Sequence, residues 1–339
     1  MVRSFRSPLA PIRLLPYNRK FVNEIPHNEL KQVDGLLYAR GLPGGTIDLV
    51  YLDPPFGSGR PRALLRGGRH RRVPEGGIAY LDPGPSGEPS PWLQELCREV
   101  HRLLRPGGAF FLHLDWRMAH RAKVFLDDIF SADNFQNEII WRYATGGVPM
   151  RSFARKHDTI LYYTKGRGHT FHRLQEKKYL AHRMSRRGVP EYRDERGWYR
   201  FRFLDDVWDI PWLTQDSRER TGYPTQKPLA LLDRILRAAT DPGDLVADFC
   251  CGSGTTAVAA ASLERRWLAC DTSPLAVEIT GRRLTAIDSA KPPGERPTKC
   301  PADPPGEQHT EAPAEHSASL HIDVHRSAED AHKEESHHT

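Results

Sequence analysis

The sequence has little of what would place it outside a cell or in a membrane. Its 339 residues include five cysteines, Cys97, Cys250, Cys251, Cys270 and Cys300. They form no CxxC pair and show no spacing with histidine that reads as a zinc site, so no metal centre is expected. Two are adjacent, which seldom suits a structural disulfide, and reduced thiols in a cytoplasmic protein follow. No uninterrupted apolar stretch approaches the roughly 20 residues of a membrane span, so a membrane role is excluded. The first twenty residues carry Arg3, Arg6, Arg13, Arg19 and Lys20 without the apolar segment of a secretory signal. Residues 1–20 are read as a flexible basic arm, with an Arg-rich transit segment as the other reading. There is no internal repeat.

Charge is present, and its distribution says more than its net of +6. From residue 290 onward there are five Lys/Arg against ten Asp/Glu, with seven of the sixteen histidines and hardly any large apolar residue. Such a stretch cannot bury enough surface to offset chain entropy, so residues 290–339 are expected to form a disordered acidic tail. The basic excess lies earlier. Residues 151–220 hold 17 basic and 10 acidic residues, a local field that suits a polyanion, although charge alone fits a solvated surface equally well.

Between arm and tail the pattern alternates strand and helix. Thr46 to Leu52 is a β-branched and aromatic run halted by Asp53-Pro54-Pro55. Helical periodicity runs from Pro91 to Leu104 and stops at Arg105-Pro-Gly-Gly108. Strands are expected at 109–114, 138–141, 159–163, 245–250 and 267–270, and helices at 119–130, 228–239, 255–263 and 274–287. Strands alternating with helices predict an α/β fold, a mostly parallel sheet wound on both faces.

Two constellations carry chemistry. In Asp248-Phe-Cys-Cys-Gly252-Ser-Gly254-Thr255-Thr256 a strand passes through a glycine turn into a helix. The glycines let the backbone approach a ligand, and the helix start offers free N–H groups. Ala257 replaces the third glycine of GxGxxG, and a nicotinamide site remains an alternative. Asp271, at the end of the next strand, can take both hydroxyls of a ribose. Together they point to an adenosine-type cofactor.

The second constellation is Asp53-Pro54-Pro55-Phe56. Two prolines stiffen a turn that presents one carboxylate and one carbonyl beside an aromatic ring. That suits an amino group conjugated with a ring, which is a poor nucleophile. Held by the Asp53 carboxylate and the Pro54 carbonyl, its nitrogen can pyramidalise and direct a lone pair at an electrophile. Phe56 would stack on an extracted base, a contact worth roughly 1–3 kcal/mol against the few kcal/mol of unstacking.

At these residues the chain resembles the amino-group DNA methyltransferases, adenine-N6 and cytosine-N4, over roughly residues 30–287. Supporting segments include His113-Leu-Asp115, Lys156-His-Asp-Thr-Ile-Leu-Tyr162 and Gly222-Tyr-Pro-Thr-Gln-Lys-Pro228. The catalytic motif precedes the glycine turn, as in the permuted beta group. That order speaks against ribosomal-RNA guanine and protein-glutamine methyltransferases.

The resemblance implies a Rossmann-like core using S-adenosylmethionine. Catalysis then falls on Asp53, Pro54, Pro55 and Phe56. Cofactor binding falls on Asp248, Cys250, Gly252, Gly254, Thr255 and Asp271, with Lys227 and Pro228. Two departures stand out. Cys250 occupies a place where the family usually has Phe, a loss of roughly 1 kcal/mol of aromatic contact. Asp34-Gly35 replaces the usual acid with Asn before the catalytic strand.

The resulting layout is a catalytic half at 21–144, a basic target-recognition insert at 145–222 and a cofactor-binding half at 223–289. In the insert, Arg183, Arg186, Arg187, Arg196 and Arg200 interleave with Tyr192, Trp198, Tyr199 and Phe201, residue types that contact phosphates and bases. The same stretch also fits a β-rich core with surface arginines. Six arginines between Arg60 and Arg72 form either a loop over the extracted base or a disordered loop.

The expected activity is methylation of adenine N6 in double-stranded DNA by a monomer or homodimer, with a partner restriction endonuclease possible. The alternatives are N4-cytosine methylation and a DNA-binding protein with a decayed site.

Overall fold

A computed structural model describes residues 27–55, 61–63, 78–81, 89–143, 147–183 and 189–290. The basic arm, most of the Arg60–Arg72 segment and the acidic tail beyond Ala290 lie outside the described residues. Among the described residues, no helix is long and apolar enough to cross a membrane.

The chain opens with β1 (Glu29–Gln32), α1 (Gly35–Gly41) and β2 (Ile47–Leu52), then β3 (Pro61–Ala63) and β4 (Ile78–Leu81). There follow α2 (Pro91–Leu103), β5 (Leu104–Leu114), α3 (Ala119–Phe130), β6 (Phe135–Arg142) and β7 (His157–Thr164). Next come β8 (Gln175–Tyr179), β9 (Tyr192–Asp194), β10 (Gly197–Phe203) and β11 (Val207–Asp209). The last elements are α4 (Leu229–Ala239), β12 (Leu245–Asp248), α5 (Thr255–Ser262), β13 (Arg266–Asp271) and α6 (Pro274–Ala290).

Eight strands form one sheet in the order β1-β13-β12-β2-β5-β7-β6-β11. Every pairing is parallel except the two made by β7, so the expected α/β fold with a mostly parallel doubly wound sheet is present. Side chains alternate between two cores. Val50 and Leu52 of β2 pack on the side of α1, α2 and α3, whereas Leu49 and Tyr51 pack on the side of α4, α5 and α6. A strand buried on both faces reads as an unbroken apolar run, which is why 46–52 stood out.

Capping fixes where the helices start. Ser90 accepts from the Leu93 N–H at 3.2 Å, with Pro91 at the first helical position. Asp34 accepts from Leu37 at 3.0 Å to open α1. Helix α4 begins after Pro228, and Glu219 supplies its cap from ten residues upstream, accepting the Leu229 N–H at 2.7 Å.

Several boundaries differ from expectation. Leu104 leaves α2 to pair with Ile47, so β5 runs through the expected stop at 105–108. Strand β12 ends at Asp248, because Phe249 and Cys250 turn into the glycine loop. Helix α6 continues through Ala290. Within 145–222, β7 and β11 lie in the large sheet, and Gln175–Phe203 spans a separate antiparallel sheet ordered β8-β10-β9.

Candidate active site

The two constellations meet at the middle of the large sheet. Strand β12 lies parallel beside β2, with Val246 opposite Leu49 and Ala247 opposite Val50. Asp53-Pro54-Pro55 and the glycine turn therefore leave the same edge of the sheet side by side. In parallel α/β sheets this carboxyl edge is where ligands bind. A cavity of about 250 Å³ opens there, lined by Asp53, Pro54, Pro55, Lys227, Asp248, Cys250, Gly252, Thr255 and Asp271 among others. Pro228 stands next to it as the cap of α4.

The glycine turn is built for close approach. Gly252 and Gly254 sit at φ of 51° and 76°, where only glycine is unstrained. A Cβ on Gly254 would lie 2.4–2.8 Å from the Thr280 side chain. The Gly252 N–H donates to Asp271 at 2.9 Å, and the Ser273 N–H donates to its other oxygen at 2.9 Å. Asp248 accepts from the Cys250 N–H at 3.0 Å and from the Thr256 hydroxyl at 2.6 Å. Burial pushes the Asp248 carboxyl up to about 7, although both hydrogen bonds pull the other way. Burial also raises Asp271 and the Cys250 thiol.

Asp53 is divided between two environments. Its Oδ2 takes a close ion pair from Lys227 Nζ, and both side chains are largely shielded from solvent. Its Oδ1 is buried and meets no donor among the described residues. Lys227 is tied to the start of α5 after the glycine turn as well, since its carbonyl accepts the Thr255 hydroxyl at 3.1 Å. The lysine expected beside a cofactor thus bridges the two halves.

Three features of the site involve residues noted in the sequence whose contacts sequence reasoning did not give. Gly35 packs so tightly that a Cβ there would stand 2.3 Å from the Phe249 carbonyl oxygen. Asp34 takes the Trp92 indole N–H at 3.0 Å and lines the cavity. From Tyr51, which lines the cavity, a largely buried polar chain runs through His113 and Asp158 to Tyr143. His113 and Asp158 fall in segments noted above, but only their pairing across strands gives them a role.

The arginines of the insert divide. In β8-β10-β9, Arg200 stands opposite Lys178, and Trp198 opposite Arg193. Arg183 lies over the Trp198 ring at 5.0 Å. Arg196 instead lies over Tyr179 at 4.6 Å, on the face with Tyr192, Tyr199 and Phe201. Phe56, Arg186 and Arg187 lie outside the described residues.

Residues 47–282 match the N6/N4 methyltransferase family, described as DNA methylase. The DNA adenine methyltransferase YhdJ of Escherichia coli (strain K12) is 26% identical over 268 residues, covering 76% of this chain and 83% of that protein. The type II methyltransferase M.HpaI of Haemophilus parainfluenzae is 26% identical over 271 residues, covering 78% and 76%. The solved M1.HpyAVI–SAM complex superposes with a TM-score of 0.47 at 20% identity, covering 76% of this chain and 98% of that one. With the family match spanning more than half of its length, and the catalytic strand preceding the glycine turn, the chain belongs to the N6/N4 amino DNA methylase family.

Proposed function

We propose that the protein transfers a methyl group from S-adenosylmethionine to the N6 amino group of an adenine extracted from double-stranded DNA. The observation that carries this is the unpartnered, buried Oδ1 of Asp53 beside a glycine-turn cavity. A buried carboxylate oxygen without a donor costs free energy that a ligand N–H can recover. An exocyclic amine has two hydrogens to give, one to Asp53 Oδ1 and one to the Pro54 carbonyl. Holding both localises the nitrogen lone pair. Lys227 pairs with Asp53 Oδ2 in a shielded site, which leaves Oδ1 to act as the acceptor.

The cofactor fits the residues present. A turn where a Cβ would collide with Thr280 leaves room for a ligand against the backbone. Asp271 stands at the end of β13 to accept ribose hydroxyls. Asp248, Cys250, Gly252, Gly254 and Thr255 would wall the rest, with Lys227 and Pro228 at the start of α4. When bound, the cofactor supplies a sulfonium methyl as the electrophile. Adenine is preferred because Asp rather than Ser precedes the two prolines, and because the relative YhdJ is named an adenine methyltransferase.

DNA is held, on this proposal, by the basic face of the three-stranded sheet, with Arg183, Arg200, Lys178 and Arg193. Arg196, Arg186 and Arg187 are proposed to contribute as well, and Phe56 to stack on the extracted base. M.HpaI is named a type II methyltransferase, and a partner restriction endonuclease is part of the proposal.

The test is transfer of labelled methyl to DNA by the purified protein, followed by digestion to nucleosides. N6-methyladenine is the expected product, and N4-methylcytosine would move the target to cytosine. Asp53→Ala should lower the rate on the order of 10³-fold; a rate equal to wild type would remove Asp53 from its assigned role.

A further inference from the structure

We propose that the connection between β6 and β7 is the wedge that fills the duplex when the target base leaves it, with Met150 and Phe153 as the inserted side chains. The proposal rests on the methyl-transfer reading, because a base held at Asp53 leaves a gap between its former neighbours.

Topology brings this connection to the active-site edge. In the parallel pair β2 and β5, Leu52 stands opposite Leu112, so the turn after Leu114 leaves the sheet beside Asp53. Strand β7 pairs Thr159 with Leu114, and β6 ends with Arg142 opposite His157. The chain joining β6 to β7 therefore emerges at the same edge, two and three strands along from β2. At the usual strand spacing that is roughly 10–14 Å, comparable with the width of a major groove, about 12 Å.

The foot of the connection is pinned near the catalytic acid. The Tyr143 N–H donates to the Lys156 carbonyl at 2.9 Å, and its hydroxyl donates to Asp158 at 2.9 Å. Burial alone would raise the Asp158 carboxyl, but His113, then Lys227 and Tyr143, hold it below the usual carboxylate range. Asp158 thus stands within the field of Lys227, which grips Asp53.

Above that foot the connection displays what a soluble surface ordinarily hides. Val148, Met150 and Phe153 are 84%, 101% and 97% exposed, three large apolar side chains within six residues. Such residues scattered singly need no explanation, but clustered at an active-site edge they mark an interaction surface. The chain bends at 150–152, midway between the strands. Residues 147–156 carry Arg151, Arg155 and Lys156 and no acid. Trp116, just beyond β5 and 40% exposed, lies under Arg155 at 4.0 Å and Arg117 at 4.9 Å. Two guanidiniums are thereby held on one ring beside the bend.

Apolar side chains among cations, with no carboxylate between them, suit a partner that is anionic outside and apolar within. Duplex DNA is such a partner. Its phosphates would take the arginines, while a thioether and a phenyl ring enter the step that the base has left. Side chains known to separate base steps are of these types. A lipid surface shares the same chemistry, but the target base must enter at this edge, which favours the duplex.

The test is a Met150→Ala/Phe153→Ala double variant of the full chain. Both side chains are exposed, so its unfolding midpoint should match wild type. Single-turnover methyl transfer is read at saturating cofactor and DNA, on oligonucleotides carrying a sequence that the wild-type protein methylates. On the paired duplex the variant should be slower on the order of 10-fold. With the target base opposite an abasic site, already unpaired, the loss should be less than about threefold. Equal losses on both substrates, or none on either, would overturn the wedge and leave the methyl-transfer reading standing. So would wild-type binding to anionic phospholipid vesicles that the variant loses while duplex methylation is unchanged, which would assign the surface to lipid. Absence of transfer by the wild-type protein would instead remove the methyl-transfer reading, and the wedge with it.

Discussion

The large sheet and the small one obey different rules. In the large sheet every residue of β2 and β12 is buried. Identities there are set by what a neighbouring backbone leaves room for. In β8-β10-β9 no described residue is fully buried, and Tyr192, Phe201 and Phe203 are 45%, 38% and 46% exposed. Register places Tyr179, Tyr192, Tyr199 and Phe201 on one face, knitted by ring contacts of 5.6–5.7 Å. Lys178, Arg193, Trp198 and Arg200 share the other. A residue in the first sheet answers to the fold, whereas on the proposed function a residue in the second answers to the DNA it holds. Substitutions should therefore separate cleanly, changing stability in one and recognition in the other.

The largest expected effect lies where backbone meets backbone. Gly35→Ala would force a methyl to within 2.3 Å of the Phe249 carbonyl oxygen. Neither partner is a flexible side chain, so α1 or the start of the glycine turn must move. Overpacking of this kind costs about 3 kcal/mol. Urea unfolding should show that loss, and calorimetry should show weakened S-adenosylmethionine binding, since Cys250 follows Phe249 directly. Unchanged stability would mean that the large sheet tolerates change as readily as the small one.

A second test uses pH. The Asp248 carboxyl stands at about 7 against an ordinary 3.8, chiefly through burial. An acid whose pKa is raised by folding binds its proton more tightly when folded. Its contribution is complete below about pH 4 and is lost as pH rises through about 7. Without cofactor, the wild-type protein should therefore lose about 2 kcal/mol more stability between pH 5 and pH 8 than Asp248→Asn. Parallel pH profiles for the two proteins would show that Asp248 is not desolvated as its burial implies.

The same contrast explains what the sequence disclosed. Apolar runs and capping residues made β2, α2, α3, α4, α5 and β13 legible, because burial on two faces and helix amphipathicity leave periodic marks. Asp53, Gly252, Gly254 and Asp271 were legible because a proline stop and glycine turns are local. Gly35 was not: its reason is an atom 214 residues away in sequence. Nor was His113, whose partners Tyr51 and Asp158 come from strands on either side of β5. In the insert, arginines and aromatics alternate in sequence, so they read as one mixed surface. Antiparallel pairing sorted most of them onto opposite faces, with Trp198 left among the arginines and Arg196 over a tyrosine, a step that depends on register and leaves no mark in a short strand.

The smallest stability effect should come with the clearest change in recognition. Arg200 and Lys178 face each other across β10 and β8, and neither is placed in the core. Replacing both with Ala should alter unfolding by no more than about 0.5 kcal/mol. If each neutralises a phosphate, the slope of log affinity for duplex DNA against log salt should fall by about 0.9 for each residue. Tyr192→Ala, on the opposite face, removes no charge and should leave that slope unchanged. A slope that responds to Tyr192 and not to Arg200 and Lys178 would place the duplex on the aromatic face. The basic face would then be a solvated surface, and the division between the two faces would have to be assigned the other way round.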